Sequence, residues 1–159
     1  MKNLKILALI PARGNSKRIK NKNLRNLNGK PLIFWSIEAA KKSKYIKEIC
    51  VTSDSEAILK YAKKQTVKTV LRPKKLANDI VHAEEAMIHA YRSLSKKYDY
   101  VIMLQPTSPL RVTKHIDKAI EKIYSSKKDS LLSVCKNSCF IWRKDKNNFY
   151  PINYNLKKR

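Results

Sequence analysis

KILALIPARGNSKRIKNKNL, residues 5–24, joins a short apolar run to a basic loop. Residues 6–10 are all apolar, which is typical of a strand that is covered on both faces of a parallel sheet. The run is similar to the apolar centre of a signal peptide, but a basic loop follows it where a small-residue cleavage site would stand. We therefore predict that it is a buried strand and that the protein is cytoplasmic.

Strand-like apolar runs recur along the chain. The pattern predicts further strands at residues 46–52, 67–71, 98–104 and 130–134. Beyond them the pattern becomes irregular, although residues 140–145 (FIWRKD) could form one more strand.

Apolar residues at helical spacing separate these runs. Pro31 can open the first helix, and residues 53–56 (SDSE) have capping-box spacing for a second helix that continues to about Lys64. A third helix is predicted from Ala83, and a fourth is predicted with Thr113 as its cap.

The alternation of strands and helices determines the predicted fold. It predicts an α/β fold, in which an open, mostly parallel sheet carries helices on both faces in Rossmann-like fashion. We assign residues 1–134 to this domain and residues 135–159 to an irregular C-terminal extension. Ligands bind such sheets beyond the carboxyl ends of the strands, so the loops at residues 11–29 and 105–112 are predicted to meet at one edge.

The amino-acid composition indicates the broad class of protein. The chain has 159 residues, of which 43% are hydrophobic and 30% are charged, as expected for one folded domain. No apolar run approaches the ~20 residues that a membrane-spanning helix needs. Three cysteines at irregular spacing argue against a disulfide framework, and Cys135 and Cys139 lack the second pair of a zinc site. The residues therefore suggest no metal ligands.

The net charge of +24 arises from 36 Lys and Arg against 12 Asp and Glu. Two explanations stay open, a general compositional drift towards lysine and an anionic partner. Seven of the nine cations before the first acidic residue, Glu38, lie between residues 13 and 30. A nucleic-acid-binding protein would interleave such a stripe with aromatic side chains, and this segment contains none. A nucleic-acid partner is therefore the less favoured interpretation.

The first loop offers several groups that suit a polyphosphate. Gly14 permits a sharp turn that leaves backbone N–H groups unpaired, and Asn15 tolerates a left-handed conformation. Ser16 adds a hydroxyl, while Arg13 and Lys22 bracket the loop as cations. The loop is not a Walker loop, because GxxxxGK[ST] is absent. A solvated basic loop without a ligand is the alternative.

The second loop, LQPTSPLR at residues 104–111, follows the strand predicted at residues 98–104. Gln105 can present an amide to a base or a sugar, Thr107 and Ser108 offer hydroxyls, and two prolines stiffen the turn. A plain proline-rich turn is the alternative. Arg72, also at a strand end, is a third cation expected at this edge, and a surface arginine is its alternative.

Four segments together carry a resemblance to a known family. IPARGNSKRIKNKNLRNLNGKPL, VTSD, VLRPKKLAND and LQPTSPLR occur in this order within residues 5–134. In these segments the chain resembles the CMP-N-acylneuraminate synthetases and their legionaminate and pseudaminate relatives, and the resemblance implies a nucleotidyltransferase fold.

The resemblance implies that CTP and an acidic nine-carbon sugar give the CMP-sugar and pyrophosphate, with Mg²⁺ as cofactor. It implies that Arg13 and Lys22 are catalytic and that the nucleotide contacts a set of first-loop and neighbouring residues, while the sugar acid contacts the second loop. The implied nucleotide-binding residues are Leu9, Ala12, Arg13, Gly14, Asn15, Ser16, Lys22, Asn23 and Arg72. The implied sugar-binding residues are Gln105, Thr107 and Ser108.

The chain also departs from the family pattern. Ile80, Val81, His82 and Ala83 stand where the family usually places small hydroxyl residues. The last acidic residue is Asp145, so the family's later magnesium-binding carboxylates are missing, and either the chain is a C-terminally short member or the metal site is made otherwise. These departures leave a non-catalytic nucleotide-binding relative as a second alternative to an active enzyme. The resemblance further implies a homodimer.

Overall fold

The computed structural model describes residues 4–16, 18–77, 83–136, 139 and 141–152. The chain divides into two compact units, residues 1–129 and residues 130–159. Within the described residues, no helix combines the length and the apolar character needed to cross a membrane.

The first unit contains six strands and four α-helices in its described residues. In chain order they are β1 (Ile6–Pro11), β2 (Asn26–Leu27), β3 (Lys30–Pro31), α1 (Leu32–Lys41), β4 (Ile46–Ser53), α2 (Glu56–Lys64), β5 (Lys68–Leu71), α3 (Ala83–Ser93), β6 (Tyr100–Met103) and α4 (Thr113–Ser126). Two single 3₁₀ turns, Lys22–Leu24 and Lys74–Leu76, lie in the connections.

Four of these strands form one sheet in the order β5-β4-β1-β6, and every neighbouring pair is parallel. The small antiparallel pair of β2 and β3 lies apart from this sheet, within the loop region that the sequence predicted to be polar. The predicted parallel α/β sheet is therefore confirmed. Its chain path leaves β1 towards β4 and β5 and then returns to the other side of β1 for β6.

The strand β1 is buried on both faces. Ile6, Ala8 and Ile10 belong to a core cluster with side chains of α1, α2 and α4. Leu7 and Leu9 belong to a second cluster with Cys50 of β4 and Ala90 of α3. Full burial of one Leu or Ile side chain stabilises a fold by ~1.5–3 kcal/mol, so this strand contributes strongly to the core. The apolar run that begins the sequence forms this strand because helices cover both faces.

The structure corrects the prediction of a fifth strand at residues 130–134. Residues 130–136 have no regular secondary structure, and Leu132 and Val134 are more than four-fifths exposed. A strand needs a neighbour for its backbone and cover for its apolar side chains, and neither is formed here. These residues belong to the second unit, which begins at Ser130.

The second unit is described as an antiparallel hairpin of β7 (Trp142–Asp145) and β8 (Asn148–Pro151). This confirms the strand-like interpretation of the FIWRKD segment over residues 142–145. Lys146 has a φ of 49° in the connecting turn, a left-handed conformation that two-residue hairpin turns require.

Two helix caps differ from the sequence prediction. Ser55 precedes α2 without a side-chain capping bond, and the Asp54 carboxylate instead accepts a hydrogen bond from the Gly14 N–H. Thr113 begins α4, but its hydroxyl donates to the Ala39 carbonyl, 3.1 Å away, and thereby ties α4 to α1. A tertiary partner has therefore taken the Thr113 hydroxyl, whereas the Ser53 hydroxyl accepts the Ser55 N–H locally.

A polar cluster around Glu48 ties three segments together. The Glu48 carboxylate accepts hydrogen bonds from Tyr98 and Lys96 and pairs with Lys68 of β5 at 2.9 Å. Partial burial alone would raise the Glu48 pKa, but the hydrogen bonds from these three side chains outweigh it and lower the pKa to about 2. The cluster therefore stabilises the fold in the ionised form of Glu48.

We expect Glu48→Gln to destabilise the protein by about 2 kcal/mol at pH 7, because it removes the charge from these hydrogen bonds. A folded-state pKa of about 2, below the ordinary value of 4.5, gives wild type an advantage above about pH 4.5. That advantage is lost as the pH falls towards 2. Urea unfolding of both proteins at stepped pH measures it.

Glu85→Gln, at an exposed position of α3, is the matched control and should change stability by no more than about 0.5 kcal/mol at any pH. Equal stability of wild type and Glu48→Gln at pH 7 would contradict a stabilising role for the cluster.

Candidate functional site

The order of the strands places a crevice beyond the carboxyl ends of β1 and β6. The chain turns from β1 towards β4 on one side and returns to β6 on the other, which makes this point the topological switch of the sheet. A cleft of about 200 Å³ lies in the first unit and is lined by Pro11, Arg13, Lys22, Asn23, Arg72, Leu76, Ala83, Gln105, Pro106 and Thr107. Both predicted loops and the Arg72 strand end therefore meet in one cleft.

Hydrogen bonds fix the backbone of the first loop at three points. The Ala12 N–H donates to the Thr52 carbonyl at 3.0 Å and so extends the pairing of β1 with β4. The buried Asn23 side chain donates its Nδ2 to the Arg13 carbonyl at 2.9 Å. The Gly14 N–H donates to Asp54 Oδ1, also at 2.9 Å. Arg13 therefore lies between two fixed backbone points.

The structure corrects the reason given for Gly14. Its φ lies outside the left-handed region, and so does that of Asn15; among the described residues of this loop, positive φ values occur at Asn21 (53°), Asn28 (51°) and Gly29 (80°). The Gly14 N–H is also paired with Asp54 and is therefore not available to a phosphate. Glycine is needed here because a Cβ would lie 2.7 Å from the Cβ of Ser55, closer than packed carbon atoms approach.

Arg72 is a buried cation at the cleft and not a surface arginine. It is 6% exposed, and its Nη1 and Nη2 atoms lie 3.5 and 3.3 Å from the carbonyl oxygens of Leu76 and Thr52. Its Nε is buried without a hydrogen-bond partner in the described residues.

The charges around Arg72 favour an anion in the cleft. Burial lowers the pKa of the Arg72 guanidinium, the nearby Asp54 carboxylate opposes this, and the neighbouring Arg13 charge lowers the pKa further. Arginine nevertheless stays protonated in proteins, so both guanidinium groups carry a charge. Lys22 lines the same cleft as Arg13 and Arg72, so a phosphate chain bound there would lie beside three cationic side chains.

The second loop forms the opposite wall. The side chains of Gln105 and Thr107 are exposed at the cleft, and Thr107 Oγ1 donates to Gln105 Oε1 over 3.4 Å. Pro106 is buried between them. Arg111 Nη2 donates to the Gln105 carbonyl at 2.9 Å, so the loop is anchored from outside the cleft. The alternative of a plain turn is less favoured, because the loop presents polar groups to a cleft with cations on its other side.

Several predicted contact residues do not line the cleft. The Leu9 and Ala12 side chains are fully buried, and the Leu9 carbonyl accepts the Leu104 N–H. Ser16 is buried, whereas Asn15 and Ser108 are exposed outside the cleft. A role for these residues in ligand binding stays a prediction. The substituted positions Ile80, Val81 and His82 lie outside the described residues, whereas Ala83 is described and lines the cleft without a hydroxyl group.

Three contributors were missed from the sequence. Asp54, Ser36 and Arg111 do not line the cleft, but each bonds a backbone atom of a residue whose loop forms it. The Ser53–Asp54 pair at the end of a predicted strand was the available signal for Asp54, because carboxyl ends of parallel strands share one edge. No local pattern marks Ser36, which is a buried serine inside a helix.

The described residues supply cations and amides but no metal-binding cluster. No group of three or more His, Cys, Asp or Glu side chains lies together in the part of the chain that the structure describes. The Asp54 carboxylate accepts the Gly14 N–H and lies beside Arg72, so its negative charge is already compensated. The arrangement suits recognition of a phosphate chain by fixed cations.

Fold and cleft together define a Rossmann-like α/β protein with a cation-lined cleft at the switch point of its sheet. The chain belongs to the cytidylyltransferase family, whose profile matches residues 7–148. It is 41% identical over 122 residues to N-acylneuraminate cytidylyltransferase of Escherichia coli, covering 77% of this chain and 29% of that protein. It is 37% identical over 134 residues to pseudaminic acid cytidylyltransferase of Campylobacter jejuni, covering 82% and 58%.

A solved structure supports the fold independently. CMP:2-keto-3-deoxy-manno-octonic acid synthetase, in complex with CTP, superposes with a TM-score of 0.68 at 21% identity, covering 77% of this chain and 48% of that one. At this identity the likeness concerns the fold alone. The chain spans less than two thirds of the curated relatives compared above.

The close approach at Gly14 gives a test of the first loop. We expect Gly14→Ala to destabilise the protein by about 1–3 kcal/mol, because the new Cβ overlaps the Ser55 Cβ. Ser55→Gly alone should cost only a few tenths of a kcal/mol, since glycine serves at an N-cap that makes no side-chain bond. The double variant Gly14→Ala/Ser55→Gly should recover most of the loss. Thermal unfolding of wild type, the two single variants and the double variant measures these differences. A double variant as unstable as Gly14→Ala would refute the steric explanation.

Proposed function

We propose that the protein is a CTP-dependent cytidylyltransferase that joins CMP to an acidic nine-carbon sugar of the sialic, legionaminic or pseudaminic type and releases pyrophosphate. One observation carries the proposal: Arg13, Lys22 and Arg72 line the same cleft as Gln105, at the switch point of the sheet. Membership in the cytidylyltransferase family supplies the nucleotide class.

In the proposed reaction the anomeric hydroxyl oxygen of the sugar attacks the α-phosphorus of CTP. A phosphorus–oxygen bond forms to the sugar, the hydroxyl proton is released to water, the bond from the α-phosphorus to the bridging oxygen breaks, and pyrophosphate leaves with the electron pair. Such a transfer depends mostly on positioning and on neutralisation of phosphate charge. Arg13 and Lys22 are the proposed catalytic cations, with Asn23 fixing the Arg13 backbone.

The two walls of the cleft would divide the substrates between them. Arg72 is buried at the first wall, and Pro11 and Leu76 add apolar surface there, which suits a pyrimidine nucleoside. Gln105 and Thr107 present an amide and a hydroxyl on the other wall, where the sugar acid is proposed to bind, with Ser108 as a further contact. A cleft of about 200 Å³ accommodates only part of these two substrates, since ligand pockets are usually ~300–1,000 Å³.

The magnesium that the resemblance implies is not matched by the described residues. Mg²⁺ is usually held through one or two carboxylates together with phosphate oxygens, and Asp54 is engaged by Gly14 and lies beside Arg72. The proposed roles therefore rest on this chain's cations and amides. A cytoplasmic location also remains a prediction.

A homodimer is the proposed assembly. Its support lies in the second unit, where a single two-stranded hairpin exposes Phe149, Tyr150 and Ile152. A two-stranded hairpin is by itself only marginally stable in water, and a second copy that covered these apolar side chains would contribute stability.

CTP should protect the fold more than ATP or GTP does. At a CTP concentration of ~100 times the dissociation constant the gain is about 2.7 kcal/mol, measured as a rise in the unfolding temperature. Arg13→Ala should weaken CTP binding by about tenfold to a hundredfold, because it removes a charged partner of the phosphates. Arg18→Ala is the matched control, since Arg18 is exposed in the same basic segment and does not line the cleft. Equal protection by all three nucleotides would overturn the cytidine assignment.

Turnover separates the enzyme from a non-catalytic relative. With CTP, Mg²⁺ and a panel of sialic, legionaminic and pseudaminic acids, the proposed enzyme should release pyrophosphate in step with CMP-sugar formation. A protein that binds CTP selectively but releases no pyrophosphate with any acid would be the non-catalytic relative. Tight RNA binding with a steep salt dependence and no CTP binding would instead favour a nucleic-acid partner.

A further inference from the structure

The backbone of Gln105 is anchored by an unusual number of donors. Its carbonyl oxygen receives the Ser36 hydroxyl at 3.3 Å, the Ser108 N–H at 3.2 Å and the Arg111 Nη2 at 2.9 Å. A carbonyl oxygen has two lone pairs, so three converging donors hold it from several directions. Gln105 is nevertheless exposed, and its side chain lines the cleft. The fixed backbone therefore carries an exposed amide.

The Arg111 guanidinium links these donors to each other. Its Nη1 donates to the Ser36 hydroxyl over 3.4 Å, and the Arg111 N–H donates to the Ser108 carbonyl at 3.2 Å. Ser36 is 1% exposed within α1, so the link ties the loop to a helix of the core. Burial lowers the pKa of Arg111, as expected for a guanidinium withdrawn from water.

Arg111 does not itself reach the cleft. It lines a separate groove, together with Phe34 and Trp35 of α1 and the exposed Leu110. Arg111 is absent from the cleft lining, to which Gln105 and Thr107 contribute. Any effect of Arg111 on a ligand in the cleft must therefore pass through the loop that it holds.

We propose that Arg111, acting with Ser36, is a positioning residue that fixes Gln105 at the wall of the cleft and thereby sets the affinity for the acidic sugar and not for CTP. This inference rests on the proposed function for the identity of the ligand, but its structural part stands on the hydrogen bonds alone. The guanidinium serves two acceptors through two nitrogens, a geometry that the single ammonium of lysine cannot reproduce.

Three variants and a control test the proposal. Arg111→Ala removes both bonds, Arg111→Lys keeps the charge but not the fork, and Ser36→Ala removes the hydroxyl. Arg92→Ala is the control, because Arg92 is exposed on α3 and lines neither the cleft nor the groove. Thermal unfolding establishes that each variant is folded before the other measurements.

Amide exchange measured by NMR reports the loop directly. The Ser108 N–H should exchange about tenfold faster in Arg111→Ala, since a charge-assisted bond that fixes its acceptor is lost. Arg111→Lys and Ser36→Ala should show smaller increases, and Arg92→Ala should show none. The Gln105 side-chain amide signals should shift in the same order.

Steady-state kinetics report the consequence for the ligand. In Arg111→Ala, kcat/KM for the sugar acid should fall about tenfold, while the dissociation constant for CTP stays within about twofold of wild type. Arg111→Lys should restore part of the loss because it keeps the positive charge, whereas a general loss of packing would weaken CTP binding as well.

The outcomes separate this inference from the proposed function. Unchanged Ser108 exchange in Arg111→Ala would overturn the inference, and so would equal losses for CTP and the sugar acid. If wild type turns over no sugar acid, the proposed function fails as an activity. The positioning role of Arg111 is then still judged by Ser108 exchange, and an unchanged exchange rate in Arg111→Ala would overturn it.

Discussion

The central strand β1 is the constraint on which the site depends. Because helices cover both of its faces, the apolar run at its centre has no exposed side, and the strand occupies an interior position of the sheet. Its parallel neighbours then end at the same edge, so the loops that follow them are brought together. The distance in sequence between Arg13 and Gln105 is closed by this pairing and not by any local preference. Hydrophobic burial thus assembles a polar cleft.

Three cationic side chains, Arg13, Lys22 and Arg72, line that cleft. Arg72 is withdrawn from water beside Arg13 and Asp54. Desolvated cations that the fold already holds in place need little reorganisation when a phosphate arrives, which is how a fixed site gains over a mobile basic loop. The net charge of +24 is spread much more widely than this cleft, so its greater part is not explained by the site.

Both walls of the cleft are positioned by hydrogen bonds to the backbone of their loops. Asn23, which lines the cleft, and Asp54, which does not, fix the peptide between Arg13 and Gly14. Ser36 and Arg111 fix the Gln105 carbonyl from outside the cleft. Backbone anchoring allows exposed side chains such as Gln105 to hold a defined place beside solvent. The site is thus rigid at its base and open at its rim.

The sequence by itself determined the α/β class, the extent of most elements and the convergence of the two loops. The reason is that the spacing of apolar residues and the order of strands and helices can be recognised from residues close together in the chain. It also singled out Arg13, Lys22, Arg72 and Gln105, whose residue types and strand-end positions suit an anion site. Only the tertiary structure decided that Gly14 is required by the proximity of Ser55, that residues 130–136 form no strand, and that Arg111 anchors Gln105. Each of these depends on which atoms from distant parts of the chain lie within a few ångströms of one another. A local sequence pattern does not contain that information.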